Sequence, residues 1–221
     1  MKNVKVKNYI YLLVVVSAFA WLSFAYKDGL DLSDIKDFLK VVPKVVTVDM
    51  VFIGIFMKFG WKLKIFKGWL VPFPNLNGTW IGFIYSDWVD PTTGKRVEPI
   101  PTMLTINQSF YQTNCIMHTG EMKSYSIAEG FNICVEQQMK QLSYIYSSKP
   151  RALLSERSPQ HDGAMIFDII GDKSNKMKGK YWTERKTKGE IALEFYSKKR
   201  LDEMPDTLPE HPVTEPENNI R

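Results

Sequence analysis

The chain has 221 residues, 44% of them hydrophobic and 13% aromatic, with a formal net charge of +5 and two cysteines. That allows one folded domain with a packed core beside a membrane anchor. No CxxC or Cys/His spacing points to a metal site. The charge is unevenly spread: residues 1–70 carry eleven lysines against five acids (+6), residues 71–200 seventeen basic against thirteen acidic side chains (+4), and residues 201–221 six acids and one arginine (−5). A basic start suits an anionic membrane face, and a mildly basic middle allows an anionic ligand without requiring one.

Tyr9–Tyr26 is apolar throughout, with no charge and no proline. Eighteen helical residues rise roughly 27 Å, close to a hydrocarbon core of about 30 Å. A second apolar run, Val45–Trp61, follows a short polar connection. Lipid offers the backbone no hydrogen-bond partners, so both runs are expected to be helices, forming a transmembrane hairpin over residues 1–70. Lys2, Lys5 and Lys7 precede it, Lys58, Lys62, Lys64 and Lys67 follow it, and the connection carries Asp28, Asp31, Asp34 and Asp37. Lysine-rich flanks stay inside, so both termini are expected to be cytoplasmic, with the chain crossing the membrane twice. The competing reading is a cleaved signal ending near Ser17-Ala18-Phe19-Ala20. Asp49 lies within the second run, where a carboxylate is costly. It is expected either to line an opening or self-association face, or to sit near the outer interface paired with Lys44.

Pro72 and Pro74 make a stiff exit, and the texture then changes. Short runs rich in Val, Ile, Thr, Tyr, Phe and Trp recur between turn residues, predicting eight strands. They lie near Thr79–Asp87, Ile100–Gln108, Tyr111–Thr119, Met122–Val135, Met139–Ser147, Ala164–Gly171, Lys178–Glu184 and Glu190–Lys198. Eight antiparallel strands at hairpin spacing over residues 71–200 are most simply an all-β up-and-down barrel, since closure removes exposed edges; a sandwich is the alternative. Ser148–Gly163 is expected as a long loop. Residues 201–221, acidic and with four prolines, are expected to be disordered.

No catalytic constellation is present: there is no GxSxG, HExxH or P-loop pattern, so the chain does not read as an enzyme, and no cofactor is implied. His118, His161 and His211 are scattered and read as surface or loop residues, and Cys115 and Cys134 as reduced, small apolar side chains. Asn77-Gly78-Thr79-Trp80 is more informative. A Gly-x-Trp opening an eight-stranded barrel resembles the lipocalin-like arrangement. That resemblance implies that Trp80 plugs the barrel floor under a cation from Lys198, Lys199 or Arg200.

The whole arrangement, two N-terminal apolar helices, a Pro-broken exit, then PNLNGTWIGFIYSD opening a β-rich domain, resembles one family over roughly residues 5–200. It is the SMODS-associating, two-transmembrane, β-strand-rich (Cap15-like) effectors of cyclic-oligonucleotide-based antiphage signalling systems. The resemblance implies a cytosolic barrel that binds a cyclic dinucleotide made by a partner nucleotidyltransferase. It also implies a homo-oligomer on activation, whose helices compromise the lipid bilayer and kill the infected cell. The other reading is a membrane-tethered or secreted lipocalin-like binding protein or scaffold.

A cyclic dinucleotide offers two phosphates and two flat bases, so its receptor should supply cations, hydroxyls and aromatic faces inside a dry cup. With Trp80 inward, Gly82, Ile84 and Ser86 share its side. The candidate ligand-binding residues are Tyr144, Tyr146, Lys180, Trp182 and Tyr196 on strands, with Arg151 and Arg157 on the adjoining loop placed to close over phosphates.

Overall fold

The structure is a computed structural model that describes residues 6–31, 34–91, 93–156, 158–171 and 174–212. The chain divides into two compact units, Asn3–Pro74 and, with the first two residues, Asn75–Arg221.

The first unit is a helical hairpin of α1 (Val6–Asp28) and α2 (Ile35–Lys58), followed by two short 3-10 turns, Gly60–Lys62 and Lys64–Phe66. Large apolar side chains around α1, among them Ile10, Val14, Val15, Phe19 and Leu22, are exposed, whereas Ala20 and Ala25 are buried. A helix that is apolar on every side and left uncovered is suited to lipid. Among the described residues α1 alone is long and apolar enough to cross a membrane by that measure. The α2 helix is more polar at its start. Asp34 caps it by accepting from the Lys36 N–H at 2.9 Å, and Asp37 in the first turn complements the helix dipole.

The helices meet through Ala20, Val41 and Val45, with Trp21, Phe24, Leu30 and Val48 packed around them. Small residues at the contact let the backbones approach. Trp21 stacks on Phe38 with ring centroids 4.1 Å apart. The Ser17 hydroxyl donates to Asp49 Oδ2 at 2.8 Å, while Asp49 Oδ1 has no hydrogen-bond partner. Lys44 pairs with Asp28, not with Asp49 as the interface alternative required, because Asp28 closes the end of α1 beside it.

The second unit is a closed antiparallel barrel with neighbours in chain order: β1 (Gly78–Ser86), β2 (Ile100–Gln108), β3 (Thr113–His118), β4 (Met122–Cys134), β5 (Met139–Pro150), β6 (His161–Ile170), β7 (Lys176–Thr183) and β8 (Lys188–Ser197), the last pairing with the first. The eight runs read from composition are these eight strands, because turn residues bound each of them. The register aligns Trp80 with Leu104 on β2 and, past a bulge at Thr79/Trp80, with Phe195 on β8. Gly78, at a φ of 128°, starts β1 where a Cβ would lie 2.3 Å from the Ser197 carbonyl. The Gly of Gly-x-Trp is therefore required by the close approach of β8.

One end of the barrel is filled. Leu76, Trp80, Leu104, Ile106, Leu142, Phe167, Met177 and Leu193 are fully buried in one core. The Trp80 indole donates to the Leu76 carbonyl at 3.0 Å, and the Leu76 N–H is held by the Gln108 side chain at 2.7 Å. Each large apolar side chain so buried stabilises the fold by about 1.5–3 kcal/mol.

Within residues 201–212, part of the tail that composition marks as disordered, Leu201, Asp202 and His211 interact with barrel residues. Thr79 donates to the Lys199 carbonyl at 2.8 Å and accepts from the Leu201 N–H at 2.9 Å, and Thr105 donates to the Leu201 carbonyl at 2.6 Å. Asp202 acts electrostatically on His118, and His211 reaches Glu121 at the other end of the barrel. The segment is thus tied down at its two ends, as a strap: outward-facing hydroxyls of β1 and β2 hold the backbone at Leu201, and His211 meets Glu121, partners that low hydrophobicity does not reveal.

Candidate functional site

The open end of the barrel is a cup of about 350 Å³, within the size range of small-molecule sites. Period-two alternation on the strands builds it. Ile84, Ile100, Met117 and Met165 form its apolar lower wall, Tyr146 and Tyr181 add aromatic faces, and Ser86, Ser124, Ser148, Ser158 and Thr183 ring it with hydroxyls. Glu121, His161, Arg185 and His211 supply the ionisable groups.

Arg185 projects from the β7–β8 turn. Its Nη1 donates to Ser158 Oγ at 3.2 Å, and Tyr146, Tyr181 and Glu121 interact with its charge. Burial lowers its pKa from the usual value, yet a guanidinium stays charged, so the cup holds a partly desolvated cation. Such a cation with hydroxyls beside it suits an anionic oxygen ligand.

Tyr146 is held edge-on to His161, with ring centroids 6.5 Å apart. Gly163 makes room for it, since a Cβ there would lie 2.5 Å from the Tyr146 hydroxyl. Burial pushes the phenols of Tyr146 and Tyr181 up, keeping both as neutral hydrogen-bonding groups. His161 is held below its usual pKa, chiefly by burial, with its Nδ1 3.2 Å from the Pro159 carbonyl. Three planar rings and one cation thus line the cavity.

The structure sorts the residues singled out from the sequence. Tyr146 lines the cup. Tyr144 points the same way one layer deeper, fully packed, with its hydroxyl 3.0 Å from the Met165 sulfur. Lys180 and Trp182 are exposed on the outer surface, because β7 turns Met177, Gly179, Tyr181 and Thr183 inward. They border a separate outer groove with Tyr85, Arg96 and Lys188. Tyr196 is exposed where β8 meets the bulge of β1.

The Arg151 side chain is exposed, but its N–H donates to the Glu121 carbonyl at 2.9 Å and so fixes the start of β4. Arg157 lies outside the described residues. Trp80 closes the floor, and the ring that leans edge-on against it at 5.3 Å is that of Phe195. Lys198 is exposed.

Sequence reasoning missed Arg185, Glu121, His161 and His211. Of the histidines read as surface or loop residues, His118 and His161 are buried on strands, at 8% and 5% exposure, while His211 lies in the tail outside the strands with its side chain 7% exposed. No spacing signal marks them, because they meet only when the strap and the β5–β6 loop fold over the cup. For Arg185 a signal existed. Lys176, Lys178 and Lys180 alternate, so the opposite phase had to face the core and carry Thr183 to the rim.

Residues 71–194, more than half of the chain, match the family model described as Cap15, cyclic dinucleotide receptor domain. The chain belongs to that family. It is also similar to a protein of Staphylococcus schleiferi named CD-NTase-associated protein 15, with 32% identity over 88 residues, 40% of this chain and 46% of that protein. The match spans about half the length of that curated relative.

Proposed function

We propose that this protein is a membrane-anchored receptor and effector of antiphage defence. The cup takes up a cyclic dinucleotide made by a partner nucleotidyltransferase in the infected cell. Arg185 and the hydroxyl ring receive its phosphates, while Tyr146 and Tyr181 pack against its bases. The organisation is a 1–70 hairpin, a cytosolic 71–200 barrel and an acidic 201–221 tail. In this reading α1 and α2 both cross the inner membrane and both termini are cytoplasmic. Ligand binding drives self-association of the hairpins and disrupts the bilayer. Asp49, with one carboxylate oxygen bonded to Ser17 and the other unpartnered, is the polar group that a neighbouring hairpin would satisfy.

The observation that carries this reading is the cup: a partly buried cation, neutral phenols and a hydroxyl ring around a cavity in a barrel of the receptor family. The experiment is calorimetric titration of the full-length protein in nanodiscs with cyclic dinucleotides. It is paired with dye entry into cells that express the protein with or without a cyclic-dinucleotide synthase. Saturable binding, and dye entry only with both partners, are expected. Binding in cells that stay sealed would remove the membrane half of the reading.

A further inference from the structure

Glu121 is an odd residue for an anion-binding cup. It is 8% exposed, lines the cavity, and stands on a backbone fixed by the Arg151 N–H. A nearly buried carboxylate repels phosphate even where, as here, Arg185 and His211 offset part of its charge, so a ligand bearing two phosphates is best seated with another part of itself toward it. The phosphates have Arg185 and the hydroxyls; what faces Glu121 must donate hydrogen bonds.

The bases differ sharply in what they offer. Guanine presents N1–H and N2–H side by side, two donors at the spacing of two carboxylate oxygens. Adenine presents one amino donor beside the N1 acceptor, and cytosine one amino donor beside N3. Uracil presents one N–H between two carbonyls. Against a carboxylate each of these three sets an acceptor lone pair beside a negative oxygen. Only guanine satisfies both oxygens without that repulsion.

The chain's own tail marks the same spot. The imidazole of His211 sits on the Glu121 carboxylate, Nδ1 to Oε1 at 3.5 Å, with both side chains nearly buried. Gly120 admits it, since a Cβ there would lie 2.7 Å from the His211 Cβ. A flat nitrogen heterocycle therefore fits against this carboxylate inside the cup.

We infer that Glu121 is the base-reading residue of the site and that it selects a guanine-containing cyclic dinucleotide, which takes the place of His211. The inference rests on the cyclic dinucleotide reading given above. Glu121 touches the ligand directly, and the fit of the other base is left to Tyr146 and Tyr181.

The test uses the full-length protein in nanodiscs, titrated with cyclic di-GMP, cyclic GMP–AMP, cyclic di-AMP and cyclic di-UMP. Wild type, Glu121→Gln, Glu121→Asp and His211→Ala are compared, with thermal melts to verify that each variant is folded. Wild type is expected to bind a guanine ligand at least about tenfold more tightly than cyclic di-AMP, the usual scale of a bidentate contact. Glu121→Gln should erase most of that ratio by weakening the guanine ligands, and Glu121→Asp, which keeps the charge, should retain the order. His211→Ala should tighten every ligand that binds without changing the ratio. Tightest binding of cyclic di-AMP or cyclic di-UMP would overturn the inference and leave the receptor reading standing, as would a guanine preference that survives in Glu121→Gln. No binding of any of the four by wild type or His211→Ala would instead overturn the receptor reading, and this inference with it.

Discussion

The two ends of the barrel are made by the same eight strands and could hardly differ more. At the closed end Trp80 and Leu76 lie fully buried in the core, with the partly exposed Phe195 ring edge-on to Trp80, and the Trp80 indole is spent on the Leu76 carbonyl. At the open end the inward positions turn to Ser148, Ser124, Thr183 and His161, and a cavity remains. Along β5 the change takes four alternate residues: Leu142 and Tyr144 are core, Tyr146 is wall and Ser148 is rim. Stability is concentrated at one end and recognition at the other, so substitutions at the two ends should separate the two properties.

The largest effect is expected at the closed end. Trp80→Ala removes a side chain that is 1% exposed and leaves a cavity beneath Phe195. Large-to-small changes of this kind cost about 3–5 kcal/mol, a large part of the stability of a small domain. The melting temperature should drop steeply, and ligand binding should fail along with the fold. A barrel that melts normally without Trp80 would end the assignment of stability to that end.

Arg185→Ala is the opposite case. The guanidinium is only part-buried, and among the described residues its side-chain bond goes to Ser158, so melting should shift little. Affinity for a cyclic dinucleotide should fall by roughly 10- to 100-fold, the worth of a charge-assisted hydrogen bond of about 1.5–3 kcal/mol. Calorimetry beside a thermal melt checks both halves. Equal affinity in the variant would place the phosphates elsewhere.

Much of the closed end was legible in the sequence and little of the open end was. Strand existence follows from β-branched and aromatic runs between turns, and the inward phase of β1 follows from Gly78-Thr79-Trp80. On β7 the candidates Lys180 and Trp182 rest on side-chain chemistry without a phase, and the strand turns both outward; the lysine alternation is the signal that fixes the phase. Tyr144 and Tyr146 share a phase, and sequence alone carries no depth coordinate to tell packed layer from cavity wall. Glu121, His161 and His211 come from a turn, a loop end and the tail. Their convergence is a property of the closed barrel, visible only when strand order and strap path are known. The strap was missed for a related reason: its bonds are to backbone, made by Thr79 and Thr105 from strands far away in sequence.

That strap gives a smaller effect. Thr105→Val keeps the size of the side chain and removes the hydroxyl that donates to Leu201. Loosening the strap should free His211 from the rim and raise ligand affinity about two- to fivefold, since the competent open state becomes more populated. Limited proteolysis should cut the tail faster in the variant. If the tail is cut at the wild-type rate, the strap is held by other contacts than the Thr79–Thr105 pair.

The smallest effect is a slope in pH. His118 and His161 both titrate below their ordinary value, each mainly because burial disfavours the charged ring, with Lys123 adding to it for His118 and Arg185 for His161. Their folded pKa values lie under the unfolded value of about 6.5. As pH falls below that point the unfolded chain binds protons that the barrel refuses, so the unfolded state gains. Stability is therefore full above about pH 6.5 and declines on acidification toward the folded values. The melting temperature should fall from pH 7.5 to pH 5.5, and His118→Gln and His161→Gln should each remove part of that slope. The two histidines sit at different places, His118 under the strap and His161 at the cup rim. A slope carried wholly by His118→Gln would assign the acid sensitivity to the strapped wall; one carried wholly by His161→Gln would assign it to the cup.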